Sequence, residues 1–218
     1  MRSLSDAVLD LLFPPRCAIC AKSGIRGVCP RCESALPYTD RPLRTGAFGR
    51  CAVPLRYEGA VRDALLRFKF QGGRSAAVGF GALLARCAAE ELSGEFDLVT
   101  YVPVSEQRRR SRGYDQAKLL AVEAAARWDT KPVALLRKVR DNPAQSGLES
   151  AAQRRENVRN VYAAQNEDVL RSRRILLIDD ILTTGATLSA AAEALLRAGA
   201  AGVVCAAVAV ADKPEPTE

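Results

Sequence analysis

The chain has 218 residues, of which 48% are hydrophobic and 26% charged, and its formal net charge is +7. A chain of this length and hydrophobic share buries a substantial core, so we expect a soluble globular protein with one medium domain and a small additional module. No apolar run reaches the roughly 18 residues of a transmembrane helix, which argues against membrane insertion. The pI of about 9.2 suits a polyanionic partner such as a phosphorylated metabolite or nucleic acid, although an inert basic surface explains it equally well.

The chain begins with MRSLSDAVLDLLFPP, which predicts a short amphipathic helix ended by Pro14 and Pro15. Its apolar face holds Leu4, Val8, Leu11 and Leu12. Asp6 and Asp10 interrupt that face, and no small-residue cleavage site follows, so the segment does not fit a signal peptide. We therefore expect a cytoplasmic protein.

Two cysteine pairs come next, CAIC and CPRC, with eight residues between them. Because two residues inside each pair allow all four sulfurs to reach one tetrahedral ion, and a Cys₄ set leaves no open position, the spacing predicts structural zinc. A thioredoxin-like redox pair is the alternative for either pair alone, but two pairs among glycines and a proline lack the βαβ setting that it needs. The predicted zinc ligands are Cys17, Cys20, Cys29 and Cys32.

Few apolar residues lie between Leu36 and Phe48, so we expect metal binding to supply the folding energy of this module, on the order of 10 kcal/mol. A loop rich in proline, glycine and arginine, residues 37–49, predicts a domain boundary near Arg50. The predicted divisions are residues 1–50, with the N-terminal helix and a double zinc ribbon, residues 51–211, and a disordered tail at 212–218.

The remainder alternates between strand and helix patterns. In chain order we expect a strand at residues 51–57, helices at 60–70 and 76–92, a strand at 96–104, a helix at 115–128, a strand at 132–138, a strand at 174–179, a helix at 186–199 and a strand at 202–210. Continuous apolar strands in such an alternation predict an α/β fold, with a mostly parallel central sheet covered by helices on both faces.

The segment ILLIDDILTTGATL, residues 175–188, carries two acidic residues at the end of an apolar strand and a threonine-rich loop before a helix. In a parallel sheet this loop lies at the carboxyl edge, where ligands bind. Gly185 permits a tight turn, so that amides and threonine hydroxyls face one phosphate while the helix dipole favours its charge. The predicted phosphate loop is Thr183, Thr184, Gly185, Ala186 and Thr187.

The two acidic residues, Asp179 and Asp180, offer only acceptors, so beside a phosphate they need hydroxyl donors or a metal between them and it. A ribose diol fits, and a sugar carrying a 5′-phosphate satisfies both halves of the segment. The alternative is that the aspartates merely cap the following turn. The segment lacks the GK[ST] ending of a nucleoside-triphosphate P-loop.

The same segment resembles the phosphoribosyl-diphosphate (PRPP) binding signature of type I phosphoribosyltransferases. Together with LLFPP before the cysteine module, VPVSEQRRRSRGYDQAKLLA and RKVRDNPAQSGLESAAQRRENVRNVY, it resembles the ComF family, competence-type proteins with an N-terminal zinc ribbon, from about residue 11 to residue 210. Ser105 stands where histidine is common in that family, and Tyr114 and Asp115 replace phenylalanine and asparagine. The resemblance implies a type I phosphoribosyltransferase fold for residues 51–211.

The resemblance also implies roles for residues in binding magnesium PRPP. Asp179 and Asp180 would hold the ribose and be the catalytic residues, and Val104 and Ser105 occupy the place of the pyrophosphate loop. The mobile loop that follows would bind diphosphate, or else form a solvated basic surface, through Arg108, Arg109, Arg110 and Arg112. Three further arginines would form a second basic face or, as the alternative, salt bridges with Glu149 and Glu156. They are Arg154, Arg155 and Arg159.

Two functions of different classes follow from this resemblance. As a module for DNA uptake in natural transformation, the chain would bind PRPP and single-stranded DNA, with helicase-like and recombination-mediator proteins as partners. As an active Mg²⁺-dependent phosphoribosyltransferase, it would transfer phosphoribose to a nitrogenous base, with Asp180 as acid or base because the chain contains no histidine. The aromatic residues available to contact a base are Phe68, Phe70, Tyr101 and Tyr114. We expect the first function and keep the second as its alternative.

Overall fold

The computed structural model describes residues 14–39, 48–140 and 161–211 in full, together with the backbone of residues 43–46. The predicted N-terminal helix and the predicted disordered tail lie outside these residues. So does the second basic face, with Arg154, Arg155 and Arg159.

The described residues form eight strands and seven α-helices, with one 3₁₀ turn at Ala126–Trp128. The strands are β1 (Leu43–Gly46), β2 (Gly49–Ala52), β3 (Leu55–Arg56), β4 (Leu98–Tyr101), β5 (Leu136–Lys138), β6 (Tyr162–Ala164), β7 (Arg174–Leu182) and β8 (Gly202–Val210). The helices are α1 (Pro30–Glu33), α2 (Gly59–Phe70), α3 (Ala76–Glu91), α4 (Glu106–Arg112), α5 (Gln116–Ala125), α6 (Glu167–Leu170) and α7 (Ala186–Arg197).

The central sheet has the strand order β1-β2-β8-β7-β4, with β3 also paired to β8. Only the β1–β2 pairing is antiparallel among these described strands, and β2, β3, β7 and β4 join their neighbours in parallel. A separate antiparallel pair is formed by β5 and β6. The predicted α/β fold with a mostly parallel sheet is therefore confirmed.

Both faces of the sheet are buried, which explains why β7 and β8 are almost continuously apolar. Leu176 and Ile178 face one core with α2, α3 and α5, whereas Ile175 and Leu177 face a second core with β5, β6 and α7. This alternation follows the two-residue period of a strand. Because β4 and β7 pair in parallel, their carboxyl ends and the loops that follow them lie at one edge of the sheet.

The cysteine module, residues 14–39, packs directly on α3. A side chain at Gly79 would put its Cβ 2.7 Å from the Cβ of Ala18 and 2.9 Å from the carbonyl carbon of Gly27, so only glycine permits this approach. Ala18, Ile19 and Leu36 are buried in the same core as α2 and α3. We expected metal binding alone to hold this module, but burial against the main core contributes as well.

Two parts of the sequence form structure that the patterns did not predict. The arginine-rich segment expected to be a mobile loop forms the seven-residue helix α4. Residues 162–164, in a stretch with little apolar periodicity, form β6 against β5. Both elements are short, so neither shows a full period of apolar residues. No described helix has the length and apolar character needed to cross a bilayer.

Candidate functional site

The loop between β7 and α7 has the geometry of an anion site. Gly185 adopts the left-handed conformation, with φ 77°, directly before the first residue of α7. The positive φ favours glycine at this position, and a Cβ would also lie only 3.3 Å from the Phe48 ring, which is a tight contact. Thr183, Thr184 and Thr187 are exposed around it. The helix start therefore combines exposed threonine hydroxyls with the positive end of a twelve-residue helix.

The Thr184 side chain is already engaged within the loop. Its Oγ1 accepts a hydrogen bond from the amide of Ala186 at 3.3 Å, and the carbonyl of Gly185 accepts from the amide of Ser189 at 2.8 Å. These bonds fix the turn before any ligand arrives. The predicted phosphate loop is thus preorganised, and Thr183 and Thr187 are its outward-facing hydroxyls.

Asp179 and Asp180 lie just before this loop and point to opposite faces of the sheet. The amide of Asp180 donates to Oδ1 of Asp179 at 2.8 Å, and Asp180 is only 9% exposed. Asp180 lies on the α2 side, where its Oδ1 is 3.0 Å from Nζ of Lys69. Burial, and next the Asp180 carboxylate, raise the pKa of Asp179. The two carboxylates thus lie on opposite sides of the end of β7, and the Lys69 ammonium contacts the one that belongs to Asp180.

Residues far from the signature also face the acidic pair. Tyr162, buried on β6, has its pKa raised by burial and then by Asp179. Asp115 begins α5, accepting from the amide of Lys118 with Oδ1 and from the amide of Val104 with Oδ2, both at 3.1 Å. Burial raises the pKa of Asp115, and Asp180 acts on it in the same direction. Lys69, Asp115 and Tyr162 were not predicted as site residues, because their positions depend on tertiary contacts.

The segment after β4 differs in form from the predicted pyrophosphate loop and mobile loop. Ser105 starts α4, and its Oγ accepts from the amide of Arg108 at 3.3 Å. The amide of Val104 is engaged by Asp115, so a diphosphate at this amide would have to replace that bond. Helix α4 carries all four predicted arginines at the same edge as the acidic pair.

The four arginines differ in their contacts. Arg109 and Arg110 approach the Glu106 carboxylate at 4.0 and 3.4 Å, and Arg110 remains 80% exposed. Arg112 donates to Oε1 of Gln116 at 3.3 Å, and its guanidinium lies 4.8 Å from the centre of the Phe70 ring. Exposed pairs of this kind contribute little to stability. The arginines are therefore available for an anionic ligand.

Of the four aromatic residues considered for base contact, only Phe70 is well exposed, at 63%. Phe68 is fully buried and packs edge-on against Phe80 with ring centres 5.8 Å apart. Tyr114 is buried, and its hydroxyl donates to the Phe68 carbonyl. Tyr101 is also largely buried. Phe70, stacked under Arg112, is thus the open aromatic surface at this edge.

The four predicted zinc ligands meet in one cluster. Their sulfur atoms all lie within 4.8 Å of one another, and Cys20 and Cys29 are 3.9 Å apart. A tetrahedral zinc with bonds of about 2.3 Å separates its sulfurs by about 3.8 Å, so this cluster fits the ion. Although burial opposes it, amide hydrogen bonds lower the pKa of Cys17 to about 6, while burial and the neighbouring sulfurs raise the pKa of Cys32 to about 12. A divalent cation would relieve this conflict by stabilising all four thiolates.

Two family models match the chain. The phosphoribosyl transferase domain model matches residues 110–218, and the double zinc ribbon domain model matches residues 8–65. The first contains α7, the acidic pair and the phosphate loop, and the second contains the four-cysteine cluster.

Curated relatives match most of the chain at modest identity. The DNA utilization protein YhgH of Escherichia coli O6:H1 is 28% identical over 204 residues, which cover 86% of each chain. Competence protein ComFC of Bacillus subtilis is 27% identical over 197 residues, covering 86% of this chain and 74% of the relative. Competence protein F of Haemophilus influenzae is 36% identical over 101 residues, covering 45% of this chain and 43% of the relative.

Proposed function

The chain belongs to the ComF family of proteins with a phosphoribosyltransferase domain and a zinc ribbon, and from this we propose that it binds PRPP at the carboxyl edge of β7. The observation that carries the proposal is the preorganised turn at Gly185, whose threonines surround the start of α7 beside two carboxylates. The 5′-phosphate occupies the turn, and the ribose hydroxyls donate to Asp179 and Asp180. In this assignment the helix start and the threonines bind an anion, and the carboxylates accept hydrogen bonds from hydroxyl donors.

The diphosphate of PRPP would extend toward the end of β4 and the arginines of α4. Multidentate guanidinium groups suit a diphosphate, and α4 presents four of them beside the acidic pair. Mg²⁺ accompanies PRPP as part of the ligand and neutralises part of the diphosphate charge. Asp115 positions the β4 loop by holding the amide of Val104.

Calorimetric titration with magnesium PRPP tests this proposal. We expect one site per chain, with Thr187→Val weakening binding about tenfold and Thr187→Ser retaining it, because only the valine lacks a hydroxyl donor to the phosphate. Ribose 5-phosphate should bind in competition with PRPP. Equal affinity of wild type and Thr187→Val, or no competition by ribose 5-phosphate, would contradict the placement of the phosphate.

The biological setting that we propose is the handling of single-stranded DNA during uptake. The relatives of this chain are named for competence and for DNA utilization. The supporting feature of this chain is the exposed arginine helix α4 with the exposed Phe70 beside it. Phosphates would contact the arginines while a base stacks on the ring, as is common in single-strand binding. The helicase-like and recombination-mediator proteins expected as partners of this chain remain predictions.

Fluorescence anisotropy with a labelled oligodeoxythymidylate tests the DNA interaction. Removing two phosphate contacts with Arg109→Ala/Arg110→Ala should lower the magnitude of the salt-dependence slope by about 1.4. Arg171→Ala/Arg173→Ala removes two exposed arginines at the opposite end of β7 and serves as the matched control. An unchanged isotherm for the α4 variant would remove this helix from the DNA interaction.

Catalytic transfer to a nitrogenous base is the second candidate function, supported by the match to a transferase domain model. Pyrophosphate release from magnesium PRPP, measured with a panel of purine and pyrimidine bases, distinguishes the two. Base-dependent release that Asp179→Asn/Asp180→Asn abolishes would establish turnover. Absence of release with every base, alongside measurable PRPP binding, would leave the site as a binding site.

A further inference from the structure

A cleft of about 780 Å³ lies between the cysteine module and the main domain. One wall consists of residues from the ribbon segment 14–21, and the other of residues from the segment 64–76, which runs from α2 to the start of α3. Among the described residues that line this ribbon cleft none is acidic, whereas three are arginines, Arg16, Arg67 and Arg74. The ribbon cleft is therefore a basic surface distinct from the acidic pair.

The sequence of both walls explains this charge. Residues 14–32 contain four basic residues and no acidic residue, and residues 64–75 contain three basic residues and no acidic residue. A Zn²⁺ held by four thiolates would carry two negative charges, so the ribbon wall stays positive when the metal is bound. On the other wall Lys69 pairs with Asp180, while two arginines line the cleft. Both walls thus favour the approach of an anion.

Two of the three arginines donate to backbone carbonyls across the cleft and at its end. The Arg67 guanidinium donates to the carbonyl of Ile19 in the ribbon, and that of Arg74 donates to the carbonyl of Gly113. A carbonyl does not neutralise a guanidinium, so both arginines keep their charge and further N–H donors. Arg16 and Arg74 are exposed, and a ligand in the cleft can therefore reach them.

Arg74 joins the ribbon cleft to the arginine helix α4. Gly113, whose carbonyl accepts from Arg74, directly follows the last residue of α4. Arg112 of α4 lies over the Phe70 ring, and Phe70 directly precedes the cleft residue Gln71. Arginines and an exposed aromatic ring thus connect α4 to the cleft, which is the combination that binds single-stranded nucleic acid.

We propose that the ribbon cleft binds phosphates of single-stranded DNA, so that one strand runs along α4, past Phe70 and between the ribbon and the α2–α3 turn. This inference rests on the proposed DNA interaction of α4 and adds a second stretch of contacts to it. A strand with a phosphate at every nucleotide reaches arginines on the ribbon, the turn and α4 together, whereas one small phosphate contacts a single group of them. The zinc ribbon thus forms one wall of the path that the strand takes.

Fluorescence anisotropy with a labelled oligodeoxythymidylate of about 20 nucleotides tests the inference. The cleft variant, Arg16→Ala/Arg74→Ala, should bind more weakly and lower the magnitude of the salt-dependence slope by about 1.4, because two phosphate contacts are lost. Arg31→Ala/Arg62→Ala is the matched control, since it removes one exposed arginine from the ribbon and one from α2 outside the cleft. The slope of this control should stay near the wild-type value.

A second pair of variants changes the charge of the cleft without removing an arginine. Ser75 is exposed at the N-cap of α3 and lines the cleft. Aspartate and asparagine are both preferred at this cap position, so Ser75→Asp and Ser75→Asn should each fold, which urea unfolding checks. Ser75→Asp places a negative charge beside the strand and should weaken DNA binding at least about threefold relative to Ser75→Asn.

Equal affinities of Ser75→Asp and Ser75→Asn, or equal slopes of the cleft variant and its control, would overturn the inference. So would binding of thymidine monophosphate as tight as that of the oligonucleotide, because the cleft would then be a site for one small phosphate. If Arg109→Ala/Arg110→Ala weakens DNA binding and the cleft variants do not, the DNA interaction of α4 stands and only the inference about the cleft fails. If wild type binds no oligodeoxythymidylate, both fail.

Discussion

The four-cysteine cluster and the acidic pair are built in different ways. All four cysteines come from residues 17–32, and their sulfurs meet in a short, loop-rich segment. The acidic pair belongs to one strand, but its surroundings come from Lys69, Asp115 and Tyr162, which lie far apart in the chain. A bound metal can order the first region locally, whereas the second is ordered only when the whole sheet has formed. Stability and ligand binding are therefore expected to respond to different substitutions.

The two regions are nevertheless joined through α2. The Arg67 guanidinium donates to the carbonyl of Ile19 in the cysteine module, and Lys69, two residues later, contacts Asp180. Ile19 and Phe68 belong to the same core. The helix thus forms a direct structural connection between the zinc ribbon and the candidate site.

The largest effect should follow from removal of one zinc ligand. Cys29→Ser should lose most of its zinc and about 4 kcal/mol or more of stability, because the remaining sulfurs cannot close a tetrahedral site. Metal analysis and urea unfolding measure both quantities. Cys87→Ala, which changes a buried cysteine on α3 outside the cluster, is the control and should retain about one zinc per chain. Full zinc content in Cys29→Ser would contradict the Cys₄ assignment.

A smaller loss is expected when the ribbon is pushed away from α3. Gly79→Ala places a methyl group 2.9 Å from the Gly27 backbone, which cannot be relieved by a side-chain rotation. We expect a loss of about 2 kcal/mol in urea unfolding and faster zinc release to a chelator, with PRPP affinity changed less than twofold. A Gly79→Ala protein as stable as wild type would show that the ribbon does not depend on this close packing.

A substitution at Gly185 should have the opposite effect to Gly79→Ala, with a large loss of PRPP affinity and a small loss of stability. Gly185→Ala strains a left-handed residue and crowds Phe48, so the phosphate turn should distort. PRPP affinity should fall about tenfold or more, with about 1 kcal/mol lost in stability and zinc content unchanged. Calorimetry and unfolding of the two glycine variants side by side give the comparison. Retained affinity in Gly185→Ala would show that the turn is not the phosphate site.

The smallest effect should come from an ion pair at the opposite end of the sheet. Hydrogen bonds from Arg174 lower the pKa of Asp97 to about 2. A carboxyl group with a depressed folded-state pKa stabilises the protein above its unfolded pKa, and that contribution disappears as the pH falls toward about 2. Wild type should therefore melt slightly above Asp97→Asn at pH 6, by roughly a degree or two, and the gap should narrow below about pH 4 and close as the pH reaches about 2. A gap that widens on acidification would contradict this assignment.

Contiguous patterns in the sequence predicted both regions, and tertiary contacts explain what was missed. The CxxC pairs and the β7–α7–β8 segment are each continuous in sequence, and their spacing determines their local structure. The zinc site and the edge of the sheet were therefore predictable. Lys69 has the spacing of an ordinary helical surface residue, and nothing near it in sequence indicates Asp180. For α4, Ser105 at the start and Gly113 at the end are helix boundary signals, but seven polar residues show no apolar period.

A crystal structure of the protein with magnesium PRPP tests the central proposal most directly. We predict the 5′-phosphate in the turn at Gly185, with the ribose hydroxyls on Asp179 and Asp180 and the diphosphate toward α4. Diphosphate in the Gly185 turn, or PRPP bound away from the end of β7, would contradict it.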